Sequence, residues 1–209
     1  MTHLLHIDAS PRGDRSISRS LTKAFVSEWQ LKNADATVNY RDLGHYPVPL
    51  ITEAWIAAVF SAPGSHTLEQ EIAIQASNDL VDEFLAADAY VFGVPMYNFS
   101  IPAGFKAYID QIVRAGRTFS VDENGYKGLV HNKKLLIVLA EGGSYRESSP
   151  TNSYDMAVPY LKLIFGFIGI KDISFVAADN LMGGDDARSQ SLADSKQALQ
   201  DIVALWSTP

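Results

Sequence analysis

The chain has 209 residues, of which 47% are hydrophobic and 20% are charged. A chain of this length can bury a substantial core within one domain, so we expect a single domain over residues 1–209. The sequence contains no cysteine, which excludes a disulfide framework, a thiolate nucleophile and a cysteine-ligated metal centre. Any redox chemistry in this chain therefore needs a bound cofactor.

The charge pattern favours small-molecule partners. The net charge of −7 comes from 24 acidic and 17 basic side chains, and the absence of a basic run argues against binding to nucleic acid. The sequence has no apolar stretch of about 18 residues, and its start lacks the pattern of an export signal. We therefore expect a cytoplasmic protein without a membrane or nucleic-acid partner.

Five short apolar segments predict β-strands, at residues 4–7, 37–41, 89–94, 135–140 and 173–177. Most of them are continuously apolar, which is typical of strands covered on both faces. Segments with helical periodicity lie between and after them, at residues 17–29, 68–84, 105–112 and 192–206. This alternation predicts an α/β fold with a five-stranded, doubly wound parallel sheet and helices on both faces.

Three further segments depart from the simple alternation. Residues 154–168 are apolar on nearly all sides and predict a buried helix, in which Pro159 marks a late start or a kink. Residues 44–64 and 115–134 are rich in glycine or proline and predict ordered excursions. A doubly wound sheet binds ligands beyond the carboxyl ends of its strands, so the chemistry is expected after strands one, three and four.

The turn after the first predicted strand has the composition of an anion site. A helix start offers free N–H groups and a positive dipole end, to which Ser10, Ser16 and Ser18 add hydroxyl donors and Arg12 or Arg15 adds charge. The alternative is an N-cap serine with solvated arginines. The sequence has neither G-x-x-x-x-G-K-[ST] nor G-x-G-x-x-G, so the turn suits a terminal phosphate monoester such as that of FMN.

The third predicted strand leads into a restricted loop that contains Met96, Tyr97, Asn98 and Phe99. A thioether and two aromatic rings suit a flat heteroaromatic ligand, and Asn98 can form hydrogen bonds with its polar edge. The alternative is that both aromatic side chains belong to the core. Their position at the ligand edge of the sheet favours the first interpretation.

The fourth predicted strand ends at Ala140 and is followed by Glu141, Gly142 and Gly143. Paired glycines allow the backbone to approach a ligand closely, although a plain turn has the same composition. The five histidines show no metal-ligand spacing, so no metal site is expected. The sequence does not require a catalytic side chain, and the chemistry is expected on the cofactor.

Several motifs together resemble the FMN-dependent NADH-azoreductase family, also described as FMN-dependent NADH:quinone oxidoreductases. The resemblance extends over nearly the whole chain. It rests on Ser10-Pro11-Arg12 with Ser16-x-Ser18, Pro95-Met96-Tyr97-Asn98-Phe99, Ala115-Gly116-x-Thr118-Phe119 with Glu123-Asn124-Gly125, Gly142-Gly143, and Phe165-Gly166-Phe167-Ile168-Gly169-Ile170.

The resemblance implies a flavodoxin-like homodimer with one FMN per subunit and active sites completed across the interface. It assigns the phosphate and ribityl end of FMN to Ser10, Ser16, Ile17 and Ser18. The isoalloxazine ring is assigned to Met96, Tyr97, Asn98, Phe99, Ala140, Glu141, Gly142 and Gly143. Phe119 is expected over the ring, in contact with the substrate. Ala140-Glu141 departs from the family, which usually has a hydroxyl followed by a basic or amide residue there.

The expected reaction transfers electrons from NADH or NADPH through FMN to quinones, azo compounds and nitroaromatics, in two half-reactions on one flavin face. A flavodoxin-type electron carrier that serves a protein partner is the alternative, and the excursion at 115–134 argues for the enzyme. A nucleotide-free regulatory domain of the same fold lacks a phospho-acceptor aspartate pair. A charged Glu141 predicts a preference for NADH, unless its side chain points into solvent.

Overall fold

The structure is a computed structural model that describes residues 2–62 and 64–207. Its main elements in chain order are β1 (His3–Asp8), α1 (Ile17–Lys32), β2 (Thr37–Asp42), α2 (Glu53–Phe60), α3 (Leu68–Ala86), β3 (Ala89–Pro95), α4 (Ala103–Ile112), β4 (Phe119–Asp122), β5 (Gly125–Gly128), β6 (Lys134–Ala140), α5 (Ala157–Phe167), β7 (Asp172–Ala178) and α6 (Asp185–Trp206).

The main sheet has five parallel strands in the order β2-β1-β3-β6-β7. These are the five predicted strands, and the order is that of a flavodoxin-like doubly wound sheet, so the predicted fold class is confirmed. The single domain over residues 1–209 stays a prediction, and Met1, Pro63, Thr208 and Pro209 within it lie outside the described residues.

The side chains of β3 alternate between two apolar layers, one on each face of the sheet. Tyr90 and Phe92 belong to the layer under α3, α4 and α5, whereas Val91 belongs to the layer under α1 and α6. In the first layer, Tyr90 stacks on Phe84 with ring centroids 4.4 Å apart, and Phe92 lies 5.6 Å from Phe105. Both faces of the strand are therefore covered, which explains its continuously apolar sequence.

The two excursions contain elements that the sequence pattern does not predict. In the first, Thr52 caps α2 by accepting a hydrogen bond from the Trp55 amide at 3.2 Å. In the second, β4 and β5 pair as an antiparallel hairpin, and Gly125 has a positive φ of 107° just after the turn. Strands of four residues and a helix of eight are too short to give a clear periodic signal.

The helix α5 begins at Ala157, and Pro159 lies in its first turn, where the missing N–H of proline is tolerated. The late start is therefore confirmed. The predicted burial of the whole helix is not found within one subunit, because only one side of α5 packs on the sheet and Leu163 is 70% exposed. Among the helices in the described part of the chain, none is long and apolar enough to cross a membrane.

Candidate cofactor site

The carboxyl ends of β1, β3, β6 and β7 surround one cavity of about 210 Å³, which we call the cofactor cavity. Eight of the predicted site residues line it. They are Ser10, Ser16, Ile17, Met96, Tyr97, Ala140, Glu141 and Gly142. The segments that follow strands one, three and four of the prediction are thus brought together, as the topology requires.

The segment 9–18, which we call the phosphate turn, forms one end of this cavity. A single 3₁₀ turn at Gly13–Arg15 leads into α1, and Ser16 caps the helix by accepting a hydrogen bond from the Arg19 amide at 3.4 Å. The first amides of an α-helix have no acceptor within the helix, so they remain available to an anion. Ser10 is buried and accepts a hydrogen bond from the Arg12 amide at 3.3 Å.

Ser18 differs from the other predicted phosphate residues. Its side chain is fully buried, and its hydroxyl oxygen lies 3.2 Å from that of Ser16. Ser18 is not one of the described residues that line the cofactor cavity. The geometry therefore gives Ser18 a supporting position behind Ser16.

An ion-pair network holds the phosphate turn from behind. Arg19 pairs with Asp42 through both terminal nitrogens and donates a hydrogen bond from Nε to the Ser10 carbonyl at 2.7 Å. Burial opposes ionisation of Asp42, but hydrogen bonds from Arg19 and His45 lower its pKa well below the ordinary range. Gly44 approaches so closely that a Cβ atom there would lie 2.2 Å from the Ser10 carbonyl oxygen. The turn is thus fixed by two residues that do not face the cofactor cavity.

The loop after β3 supplies an apolar wall. Met96 and Tyr97 line the cavity, and the Met96 amide donates to the Ala140 carbonyl at 2.9 Å, which joins this loop to the end of β6. Asn98 and Phe99 form the tip of the loop with positive φ angles of 48° and 68°. They are exposed and are not among the described residues that line the cavity.

The loop after β6 closes the opposite side. A Cβ atom on Gly142 would lie 3.0 Å from the Met182 sulfur, so the position leaves little room for a side chain. Gly143 is absent from the described part of the lining, but its carbonyl accepts a hydrogen bond from the Asn180 amide at 2.8 Å. The paired glycines therefore serve a close approach between two loops.

Glu141 is the unusual residue of this loop, because it is only 3% exposed. Burial, and then the negative charges of Asp155 and Asp179, raise the pKa of Glu141 to about 7. The side chain therefore does not point into solvent, and the carboxyl is partly protonated at neutral pH.

The loop after β7 also contributes to the site, although it was not predicted from the sequence. Leu181 and Met182 in this loop and Arg188 in the first turn of α6 line the cofactor cavity, and Asn180 adopts a positive φ of 53° at the start of the loop. Two signals point to this loop: it follows the carboxyl end of the fifth strand, and Gly183 and Gly184 lie within it.

Phe119 lies elsewhere within the subunit. It begins β4 and packs on Phe167 and Tyr126, with ring centroids 4.9 Å and 6.1 Å apart. The described lining of the cofactor cavity does not include it. Its position over the flavin stays a prediction that requires a contribution from a second subunit.

A larger cavity of about 690 Å³ lies on the other side of Ser16. Its lining includes three carboxylates, from Asp8, Asp14 and Asp42. Lys23 and Arg19 also line it, but Arg19 is already paired with Asp42. The carboxylates repel a phosphate, and none of the described residues of this lining is aliphatic or a methionine, so it offers no apolar wall like that of the cofactor cavity. The smaller cofactor cavity is therefore the better candidate for a flavin nucleotide.

The residues of the cofactor cavity fit FMN in chemistry. Hydroxyl groups of Ser10 and Ser16, the start of α1 and the guanidinium groups of Arg12 and Arg188 suit a phosphate monoester. Apolar side chains of the β3 and β7 loops and the backbone around Gly142 suit a planar ring system. One cavity thus offers both surfaces that a flavin mononucleotide needs.

Comparisons with known proteins agree with this interpretation. A family model described as the flavodoxin-like fold matches residues 2–203. The chain is 58% identical over 207 residues to FMN-dependent NADH:quinone oxidoreductase 2 of Trichormus variabilis, covering 99% of this chain and 100% of that protein. The relatives named in these comparisons are reductases, which gives the electron-carrier alternative no support.

Two solved structures from Bacillus anthracis have the same fold over 97% of this chain. An azoreductase of strain Sterne has a TM-score of 0.91 at 29% identity and is covered over 99% of its length. An FMN-dependent NADH-azoreductase of strain Ames Ancestor, in complex with FMN, has a TM-score of 0.87 at 26% identity and is covered over 100% of its length. The chain therefore belongs to the flavodoxin-like FMN-dependent NADH:quinone oxidoreductase family, as its motifs predict.

Proposed function

We propose that this protein reduces quinones, azo compounds and nitroaromatics with electrons from NADH, through one FMN bound in the cofactor cavity of each subunit. The observation that carries the proposal is the convergence of the phosphate turn, the β3 loop and the β6 loop on that cavity. When bound, FMN supplies the two-electron chemistry, because its ring accepts a hydride from a nicotinamide and passes the electrons to an acceptor.

The phosphate turn binds the phosphate in this proposal. Ser10 and Ser16 donate hydroxyl hydrogen bonds, Ile17 contributes the start of α1, and Ser18 holds the Ser16 hydroxyl in place. The turn is buried on its inner side and tied to Arg19, so its donors are oriented before the ligand arrives. Such orientation reduces the ordering cost of binding.

The β3 and β6 loops bind the ring. Met96 and Tyr97 offer an apolar wall, and Ala140, Glu141 and Gly142 form the opposing edge. Asn98, Phe99 and Gly143 complete the ring site in this proposal, with the positive φ angles at the tip of the β3 loop orienting its amides. Because the loops flank a cleft, donor and acceptor must use the same flavin face in turn.

The proposal includes a homodimer in which Phe119 of one subunit approaches the flavin of the other. Tyr126 on β5, which packs on Phe119, is 71% exposed, and Leu163 on α5 is 70% exposed, so both elements present apolar surface to the outside of the subunit. Exposed apolar surface of this kind marks interaction sites in soluble proteins. The partners are small molecules in the cytoplasm, and cell fractionation tests that location.

The test begins with the visible spectrum of the purified protein loaded with FMN. Anaerobic NADH should bleach the flavin absorbance, and a quinone or an azo dye should restore it without added protein. Steady-state assays should give parallel lines in double-reciprocal plots of NADH against quinone. Intersecting lines would contradict alternating use of one cleft, and a flavin that NADH cannot bleach would contradict the enzyme itself.

A further inference from the structure

Glu141 lies in the wall between two cavities. On one side it lines the cofactor cavity, and on the other side it lines a second cavity of about 400 Å³ between the β6 loop and α5. Its backbone is fixed, because its amide donates to the Ala178 carbonyl at 2.9 Å and its carbonyl accepts from the Leu181 amide at 3.1 Å. The buried carboxyl group therefore has one space toward the cofactor and another toward the outside.

The carboxyl group of Glu141 has no hydrogen bond or ion pair with any residue in the described part of the chain. The nearby cation Arg146 is paired with Asp179 at 2.7 Å, and Ser144 donates to the same carboxylate at 2.6 Å. An ionised carboxylate that is buried without a partner is unfavourable, so the protonated, neutral form of the carboxyl group is favoured.

The charged and titratable groups around Glu141 are of both signs. On the cofactor side they are Arg12, Tyr97 and Arg188. On the side of the second cavity they are Tyr145, Arg146, Glu147, Asp155 and Lys162. The negative charges of Asp155 and Asp179 raise the pKa of Glu141, as burial does, whereas the positive charge of Arg146 lowers it. Glu141 thus titrates near neutral pH, where a small change of local charge alters its protonation.

Delivery of a hydride to a bound flavin adds one negative charge to the cofactor cavity. A new charge within about 8 Å changes the proton affinity of a carboxylate by about tenfold or more at an effective dielectric near 20. On the basis of the proposed function, we propose that Glu141 takes up a proton from solvent when the cofactor is reduced and releases it when the acceptor removes the electrons.

The step is balanced in atoms and electrons. The hydride carries both electrons from the nicotinamide to the cofactor, and the Glu141 carboxylate forms one O–H bond with a proton that enters from solvent. When a quinone acceptor takes the hydride it becomes a hydroquinone anion, and the proton released as the Glu141 O–H bond breaks forms the new O–H bond of the neutral hydroquinone, which restores the carboxylate. Glu141 is a proton-holding residue here and exchanges no electrons.

The experiment counts protons during one reductive half-reaction. The FMN-loaded protein is titrated anaerobically with NADH at pH 8 in weak buffer that contains an indicator dye. We expect the wild type to take up as much as one proton per flavin more than Glu141→Gln. Glu147→Gln removes an exposed carboxylate from the same loop, and should match the wild type.

A second measurement uses the wild type alone and does not depend on the variant. Infrared difference spectra on reduction should show a carboxylic-acid C=O band that grows as the flavin bleaches. Equal proton counts in the wild type and Glu141→Gln, or a spectrum without this band, would overturn the inference. Failure to bind FMN or to be bleached by NADH would instead overturn the proposed function.

Discussion

The Nε atom of Arg19 donates to the carbonyl oxygen of Ser10 at 2.7 Å, while the rest of the guanidinium group is paired with Asp42. Arg19 therefore joins the end of β2 to the phosphate turn without lining the cofactor cavity. Such a residue positions the site and does not contact the ligand. Removing the Arg19 side chain should therefore lower the stability of the FMN-free protein and also weaken the binding of FMN.

The first prediction concerns Arg19→Ala. Loss of one partner from a largely buried ion pair should lower the free energy of unfolding by about 1 to 3 kcal/mol. FMN should bind roughly tenfold more weakly, since a loosened turn must be ordered on binding. Urea unfolding and fluorescence titration with FMN measure the two effects. Arg15→Ala is the control, because Arg15 is exposed in the same turn; equal effects in both variants would refute the positioning role.

The second prediction separates two roles of Ser16, which caps α1 and lines the cofactor cavity. Aspartate is also a good N-cap, so Ser16→Asp should keep the stability of the FMN-free protein within about 0.5 kcal/mol. Its carboxylate would repel the phosphate and should weaken FMN binding by more than about tenfold. Ser16→Ala should instead lose about 1 kcal/mol of stability with the cap. Unchanged FMN affinity in Ser16→Asp would remove the phosphate from this turn.

Much of the fold follows from local patterns in the sequence. The strand β3 is apolar throughout, β6 is apolar after Lys134, and a sheet covered by helices on both faces is the structure in which such strands are stable. Once the topology is known, the carboxyl ends of neighbouring parallel strands must meet. This is why Ser10, Met96 and Gly142 could be predicted to share a site although they are distant in sequence.

Other properties depend on contacts that no local pattern records. The burial of Glu141 results from the β7 loop, whose Leu181 amide pairs with the Glu141 carbonyl, and a charged residue after a strand ordinarily predicts an exposed turn. The exposure of one side of α5 could not be predicted from the sequence either. A helix that is apolar all round has the same sequence whether its own chain or another subunit covers Leu163.

The third prediction tests the homodimer through Leu163. A glutamate on an apolar interface would have to be buried as a charge, so Leu163→Glu should convert a dimer into a monomer. Sedimentation velocity at micromolar concentration measures the change. Leu31→Glu is the matched control, because Leu31 is 85% exposed near the end of α1 and should leave the dimer intact. A wild-type protein that is monomeric and fully active would contradict this prediction.

The fourth prediction concerns the pH dependence of stability in the FMN-free protein. The pKa of Glu141 is raised from its ordinary value of 4.5 to about 7, so the folded state keeps a proton that the unfolded chain has released. This contribution to stability is complete below the unfolded pKa and is lost as the pH rises through about 7. The loss is about 3 kcal/mol at most.

Glu141→Gln cannot lose a proton and should escape this loss. Urea unfolding at pH 5 and pH 8 should therefore show that the variant gains stability relative to the wild type at the higher pH. Glu147→Gln should follow the wild type, because its carboxylate is exposed. If the wild type and Glu141→Gln lose stability in parallel, the carboxyl group has an ordinary pKa.

The fifth prediction concerns the choice between NADH and NADPH. The 2′-phosphate of NADPH would be repelled by a charged Glu141, with about 2 kcal/mol per phosphate charge at 8 Å and an effective dielectric near 20. Salt screening and solvent exposure of the phosphate should reduce this to about 1 kcal/mol or less, which is about fivefold in kcat/KM.

Because the pKa of Glu141 is about 7, the repulsion should be weak at pH 6 and stronger at pH 8. The wild type should therefore prefer NADH more strongly as the pH rises, and Glu141→Gln should lose that part of the preference. The phosphate of NADPH also titrates, but its effect is common to both proteins and cancels when their donor ratios are divided. The test is to measure kcat/KM for both donors at pH 6 and pH 8 in the wild type and in Glu141→Gln. If the NADH/NADPH ratio of the wild type divided by that of the variant does not change with pH, the role of Glu141 in donor choice is refuted.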